Sequence, residues 1–306
     1  MPTAVGGSPP VPISSALAWA IPGASDRVKR TAAAITGTAD RHADLGTPKH
    51  LGCTEQNLPA RWSARVRRRR SRVVLSSSLL LVHGSLSDRT QWAPLRRALR
   101  RLGVAASAYD REPPRPTGEH PPTFAPDIAE LRCQLGGLGS RVVVGASYGG
   151  AVALAHALEH PSELEALVLV EPTLLGLLPV PEQAQPLSEP IDDVALADFC
   201  DAMAGQGTWE RSSERSRQEL RAMAPALAEE SRRLVAFRPL PEALAGLRVP
   251  TLVATAGRSP AYFREIAARL ERVLPDARRV HYQDAGHDLP VSHARELAEA
   301  LAAFLR

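Results

Sequence analysis

The chain has 306 residues, a formal net charge of +4 and 44% hydrophobic residues, enough to bury the core of one large domain or of a domain with an appendage. Only 4% are aromatic, so Leu, Val and Ala must fill that core, and no apolar run reaches the ~18 residues that a membrane-spanning helix needs. Cys53, Cys133 and Cys200 are odd in number and lack metal-ligand spacing, which argues against a disulfide scaffold and for a reducing, cytoplasmic setting.

The charge is unevenly spread. Residues 1–72 hold 12 Lys and Arg against 4 Asp and Glu, whereas residues 73–306 hold 25 against 29. The basic excess therefore belongs to the N-terminal segment, and no nucleic-acid partner is expected for the body. Residues 1–71 show no sustained helical or strand period and end in Arg67-Arg68-Arg69-Arg70. They read as a disordered, solvated basic segment.

From residue 72 the pattern changes, and 72–306 reads as one domain. Leu79-Leu80-Leu81-Val82 is a short apolar run of the kind buried in a parallel sheet, and it ends in His83-Gly84-Ser85. A helix is expected over about Gln91–Leu102, then a weaker strand over Val104–Tyr109. Asp110–Pro126 reads as a proline-rich loop and Asp127–Leu138 as a helix with Ile128, Leu131 and Leu135 on one face. Arg141-Val142-Val143-Val144 leads into Gly145-Ala146-Ser147-Tyr148-Gly149 and a helical stretch after it.

Further strands are expected at Leu167–Val170, ending at Glu171, at Pro250–Ala256 and at Arg278–Tyr282, the last followed by Ala285-Gly286-His287. A helix over about His293–Leu305 closes the chain. Residues 173–248 interrupt the alternation with helical, charge-rich sequence and read as a cap inserted after a strand end. Strands alternating with helices make this an α/β chain, with a mostly parallel sheet covered on both faces. His83, Ser147, Glu171 and His287 all fall just past strand ends, so they are expected on one rim.

Gly145–Gly149 is the most informative stretch. Strand, G-x-S-x-G, helix is the pattern of a nucleophile elbow, which holds a serine hydroxyl out on a strained turn beside a helix N-terminus. A serine hydroxyl is a poor nucleophile at neutral pH and needs a neighbouring base.

With the His83-Gly84-Ser85 loop and the late Gly286-His287, residues 79–306 resemble the α/β-hydrolase fold enzymes. The resemblance implies Ser147 as nucleophile and His287 as the base. It places the oxyanion donors on the backbone N–H groups of Tyr148 and Ser85, and gives His83 a structural role. Many relatives carry the acid after the penultimate strand, but this chain reads Gly257-Arg258-Ser259-Pro260-Ala261 there. The family's other position, after the strand following the elbow helix, holds Glu171, which is taken as the acid ahead of Asp110, Asp284 and Asp288.

Two departures stand out. Only Arg72-Val73-Val74-Leu75 is left for the family's opening strand hairpin. The loop after Asp110 carries Arg111-Glu112-Pro113-Pro114-Arg115-Pro116 in place of small residues, and either departure is expected to lower stability or block the site. The expected activity is serine hydrolysis of a small-molecule ester, thioester or lactone, with no metal or organic cofactor. The rivals are a non-catalytic binding protein of the same fold, or the same residues used for C–C hydrolysis, perhydrolysis or acyl transfer. Substrate identity and oligomeric state are not legible in the sequence.

Overall fold

The computed structural model describes residues 78–114, 122–178 and 185–306, all within one compact unit. The basic segment 1–71, the strand candidate at 72–75 and residues 115–121 of the proline-rich loop lie outside the described residues.

Six strands follow in chain order: β1 (Leu79–Val82), β2 (Ala106–Ala108), β3 (Val142–Ala146), β4 (Ala166–Val170), β5 (Thr251–Ala256) and β6 (Ala277–Tyr282). They form one sheet in the order β2-β1-β3-β4-β5-β6, and every pairing is parallel. The register sets Leu81 opposite Val144 and Val144 opposite Val168.

The period-2 alternation of strand side chains divides the core in two. Leu80, Val82, Val143, Leu167, Leu169 and Val253 face one layer, packing with α2 (Ala125–Leu138), α3 (Tyr148–Glu159) and α8 (Ala261–Val273). Leu79, Leu81, Val144, Val168, Leu252 and Ala254 face the other, against α1 (Ala93–Arg101) and α10 (Ala294–Phe304). Each fully buried Leu or Val contributes about 1.5–3 kcal/mol, and the four inner strands β1, β3, β4 and β5 are wholly buried. This explains why their sequences are continuous apolar runs without alternation.

The expected elements are present with shifted ends. The helix expected over Gln91–Leu102 is a 3-10 turn, Arg89–Trp92, followed by α1. Asp88 initiates the turn by accepting the Thr90 N–H. The weak strand is only Ala106–Ala108. The closing helix is α10, and a short helix absent from the sequence reading, α9 (Leu289–Ser292), precedes it. The sequence reading assigns no helix between the last two strands. Here α8 buries Tyr262, Phe263, Ile266, Ala267 and Leu270 at helical spacing.

Between β4 and β5 the chain supplies α4 (Asp193–Ala204), α5 (Thr208–Arg211), α6 (Glu214–Ala236) and α7 (Pro241–Gly246). Among the described residues no helix is long and apolar enough to cross a membrane.

The strand order reverses direction between β1 and β3: β2 lies on one side of β1, and β4 to β6 lie beyond β3. Ligand crevices in open α/β sheets open at such a point, beyond the strands' carboxyl ends. The loop after β1 and the turn after β3, which hold Gly84 and Ser147, are the two that flank it.

Candidate active site

Ser147 joins β3 to α3 with φ 52° and ψ −119°, a left-handed conformation that costs a non-glycine residue about 1–3 kcal/mol. The flanking glycines follow from close backbone approach. A Cβ on Gly145 would sit 2.3 Å from the Gly149 carbonyl oxygen, and one on Gly149 would sit 2.4 Å from that of Val82. The turn is held by Ser147 N–H donating to Val170 O at 3.0 Å and by Thr173 N–H donating to Ser147 O at 3.1 Å. Its side chain stands at the N-terminus of α3, where the first helical N–H groups lack intrahelical partners. The Ser147 hydroxyl is 3.2 Å from Thr173 Oγ1.

Glu171 directly follows Val170 of β4 and is also left-handed, with φ 45°. It is fully buried. Its Oε1 accepts the Ala256 N–H at 2.8 Å. Its Oε2 accepts the Ser259 hydroxyl at 2.5 Å and lies 2.9 Å from Nδ1 of His287. A carboxylate on this ring nitrogen fixes the imidazole's orientation and leaves Nε2 free to exchange a proton. Phe263 stacks on the His287 ring with centroids 4.5 Å apart. The structure therefore joins Glu171 to His287, and the Ser147 N–H bond to Val170 O sets the serine next to the residue that precedes Glu171. It does not join Ser147 to His287 directly: the serine hydroxyl's hydrogen bond goes to Thr173.

The other acids considered from sequence lie elsewhere. Asp110 is exposed at the far edge strand and accepts the Arg89 N–H at 2.8 Å. Asp288 accepts from the Ser292 hydroxyl, and Asp284 is exposed.

The loop after β1 approaches the elbow closely. A Cβ on Gly84 would lie 3.0 Å from Ser147 Cβ, and Ser85 follows in the turn. His83 holds this loop: its Nδ1 donates to Gly84 O at 2.9 Å and its Nε2 accepts the Arg111 N–H at 3.0 Å. Burial, reinforced by the Arg111 charge, pushes its pKa down to about 4, so the ring is neutral at pH 7. Tyr148, the first residue of α3, is fully buried and donates its hydroxyl to Asp127 at 3.2 Å.

Three residues here escape sequence reasoning. Thr173 and Ser259 are small hydroxyl residues in loops, with no local pattern to single them out. Arg111 reads in sequence as a departure that would disturb the site, yet it is buried at 8% exposure and bonded to the loop after β1. Among the described residues no group of three or more His, Cys, Asp or Glu is placed to hold a metal.

The Alpha/beta hydrolase family model matches residues 79–300. No curated protein matches the chain in sequence. Solved structures share the fold at low identity. A hydrolase from Pseudomonas aeruginosa is 23% identical, with 75% of this chain and 89% of that one covered and a TM-score of 0.57. The enol-lactonase from Burkholderia xenovorans is 19% identical, covering 75% and 91%, at 0.55. Naproxen esterase from Bacillus subtilis is 18% identical, covering 75% and 84%, at 0.53. With the parallel six-stranded sheet, its helical layers and the elbow between β3 and α3, the match over residues 79–300 establishes that this chain belongs to the alpha/beta hydrolase family.

Proposed function

We propose that the protein is a serine hydrolase that cleaves a carboxylic ester, thioester or lactone of a small molecule through an acyl-enzyme. The observation that carries this reading is the 2.9 Å contact of Glu171 Oε2 with His287 Nδ1, made on the loop that adjoins the strained Ser147. Ser147 Oγ attacks the acyl carbon while His287 Nε2 takes its proton. The leaving group departs with that proton. Water, deprotonated by His287, then releases the acid and restores the serine. Glu171 stabilises the protonated imidazole. The N–H groups of Tyr148 and Ser85 receive the negative charge that develops on the acyl oxygen.

Apo enzymes often hold such contacts loosely before substrate arrives. The Thr173 bond is accordingly the resting position of the serine hydroxyl, which must rotate toward His287 before attack. Residues 173–248, proposed as the cap, shape the pocket that selects the substrate. The esterase and the lactonase of like fold both act at acyl carbons, which agrees with this chemistry and does not choose between the two substrate classes. The cytoplasmic setting rests on cysteine usage; Cys133 and Cys200 carry free thiols.

The rival, a non-catalytic member of the family, finds less support. A buried carboxylate bonded to the imidazole at the rim has no use in a mere scaffold and costs desolvation. A panel of p-nitrophenyl esters, thioesters and lactones separates the two. Turnover that falls roughly 10³-fold or more in Ser147→Ala supports the hydrolase; turnover that survives the substitution excludes it.

A further inference from the structure

Arg111 is the least expected residue of the site. It lies in the loop after β2, and its side chain makes contacts in every direction. Nε donates to His83 O and Nη2 to Gly84 O, both at 3.1 Å. The same Nη2 donates to Glu230 Oε1 at 2.6 Å. Nη1 is 3.6 Å from Asp127 Oδ1, an ion-pair distance too long for a hydrogen bond. The guanidinium carbon sits 4.5 Å from the centre of the Tyr148 ring. Glu230 belongs to α6 of the segment inserted between β4 and β5. Further ion pairs extend the arrangement: Arg233 of α6 bonds Asp127 at 2.5 Å and Glu229 at 3.1 Å.

Peptide geometry makes the Gly84 contact consequential. In a planar trans peptide the N–H points opposite to the C=O. Fixing Gly84 O against Nη2 therefore fixes the direction of the Ser85 N–H, away from Arg111. That N–H is one of the two donors assigned above to the developing oxyanion. The other donor residue, Tyr148, is gripped from its ring by the same guanidinium and from its hydroxyl by Asp127. One buried cation thus touches the carbonyl of the 84–85 peptide and the ring of Tyr148.

We propose that Arg111 is a positioning residue for the oxyanion pocket, and that Glu230 makes its placement depend on the seating of α6. One nitrogen, Nη2, stands between the α6 carboxylate and the Gly84 carbonyl, so the inserted segment reads out directly on the orientation of the 84–85 peptide. When α6 is seated, the guanidinium is held on both carbonyls and the pocket is formed. When α6 lifts, Arg111 loses its closest charge partner. The guanidinium then keeps only the more distant Asp127 as a charge partner and shifts, so the 84–85 peptide loses one of its two restraints and keeps only the His83 Nδ1 bond to Gly84 O. The pocket is complete only when the segment that closes over substrate is in place. This inference rests on the hydrolase reading.

The test uses the full chain with p-nitrophenyl butyrate as substrate and phenylboronic acid as a tetrahedral mimic bound through serine. Arg111→Met is expected to lower kcat about 10²-fold, the scale of losing one oxyanion donor. Glu230→Gln is expected to lower it about 10-fold, because a small displacement of a positioned group is enough. KM should stay nearly constant in both. Affinity for the boronic acid should fall in parallel with kcat, which a general loss of packing would not produce. Arg111→Lys should recover only part of the loss, since an ammonium cannot bridge both carbonyls.

Glu230→Gln decides the matter alone if Arg111→Met fails to fold. Folded variants with kcat and boronic acid affinity within about twofold of wild type overturn the inference while the hydrolase reading stands. Wild-type protein that neither turns over esters nor binds the boronic acid through Ser147 removes the hydrolase reading, and this inference with it.

Discussion

Glu171 reaches His287 across 116 residues of sequence, with Oε2 held 2.9 Å from Nδ1 and the carboxylate wholly out of solvent. Three donors converge on it: the Ala256 N–H, the Ser259 hydroxyl and the imidazole. Ser259 stands in the loop after β5, where many relatives carry their acid. The site is thus inverted relative to that pattern: the carboxylate comes from the end of β4, and the neighbouring loop answers with a hydroxyl. Glu171→Gln should lower kcat by about 10²–10⁴-fold, because the amide cannot stabilise the imidazolium. Steady-state turnover of the most active ester checks this. Wild-type turnover in the variant removes Glu171 from its assigned role and leaves Ser147 in place.

Ser259→Ala should be milder. It removes a hydrogen bond to a charged acceptor, worth about 1.5–3 kcal/mol to the ionised carboxylate. The carboxylate is then held by two donors in place of three, and kcat should fall about 10-fold, less than in Glu171→Gln. Turnover in Ser259→Ala equal to wild type shows that the hydroxyl does not support the acid.

The two elbow glycines should be far less tolerant than a glycine that merely adopts positive φ. A methyl group on Gly149 meets backbone at 2.4 Å, so strand or helix must move. Gly149→Ala is expected to cost about 3 kcal/mol or more, at the upper end of overpacking. Gly139 caps α2 at φ 61°, and a methyl group added there meets nothing within 4 Å. Gly139→Ala should cost only about 1 kcal/mol of backbone strain. Urea unfolding of both variants measures the difference; equal losses contradict the steric account.

His83 gives a pH signature. Its folded pKa is about 4 against an ordinary 6.5, through burial and the Arg111 charge. As pH falls below 6.5 the unfolded chain binds a proton that the folded chain refuses until about 4. The stabilisation is therefore complete above the unfolded pKa and is lost as pH falls through that window, by roughly 2–3 kcal/mol. The fall in unfolding free energy between about pH 7 and about pH 4.5 should be smaller in His83→Gln than in wild type. An identical slope in both contradicts the assignment.

Sequence and structure agree best where chemistry demands a local pattern. The apolar strands, the Gly145–Gly149 turn and Glu171 at the end of β4 are all legible, because burial on both faces, backbone approach and strand-end position each leave a mark in sequence. Thr173, Ser259 and Glu230 leave none. Their roles depend on which loops and helices meet across the sheet's rim, and a hydroxyl or carboxylate in a loop carries no hint of a distant partner. Arg111 shows the same gap more sharply. Read locally, a long charged side chain among prolines suggests disruption. In the fold, Glu230 and two backbone carbonyls turn it into a buried support. The helix α8 is a different kind of omission, since its spacing of buried residues is present in the sequence.

The most direct measurement is intact-protein mass after reaction with a fluorophosphonate probe, for wild type and Ser147→Ala. The account predicts one adduct per chain, mapped to Ser147 and absent from the variant. Folded wild-type protein that takes up no probe, or a variant labelled as fully as wild type, contradicts it.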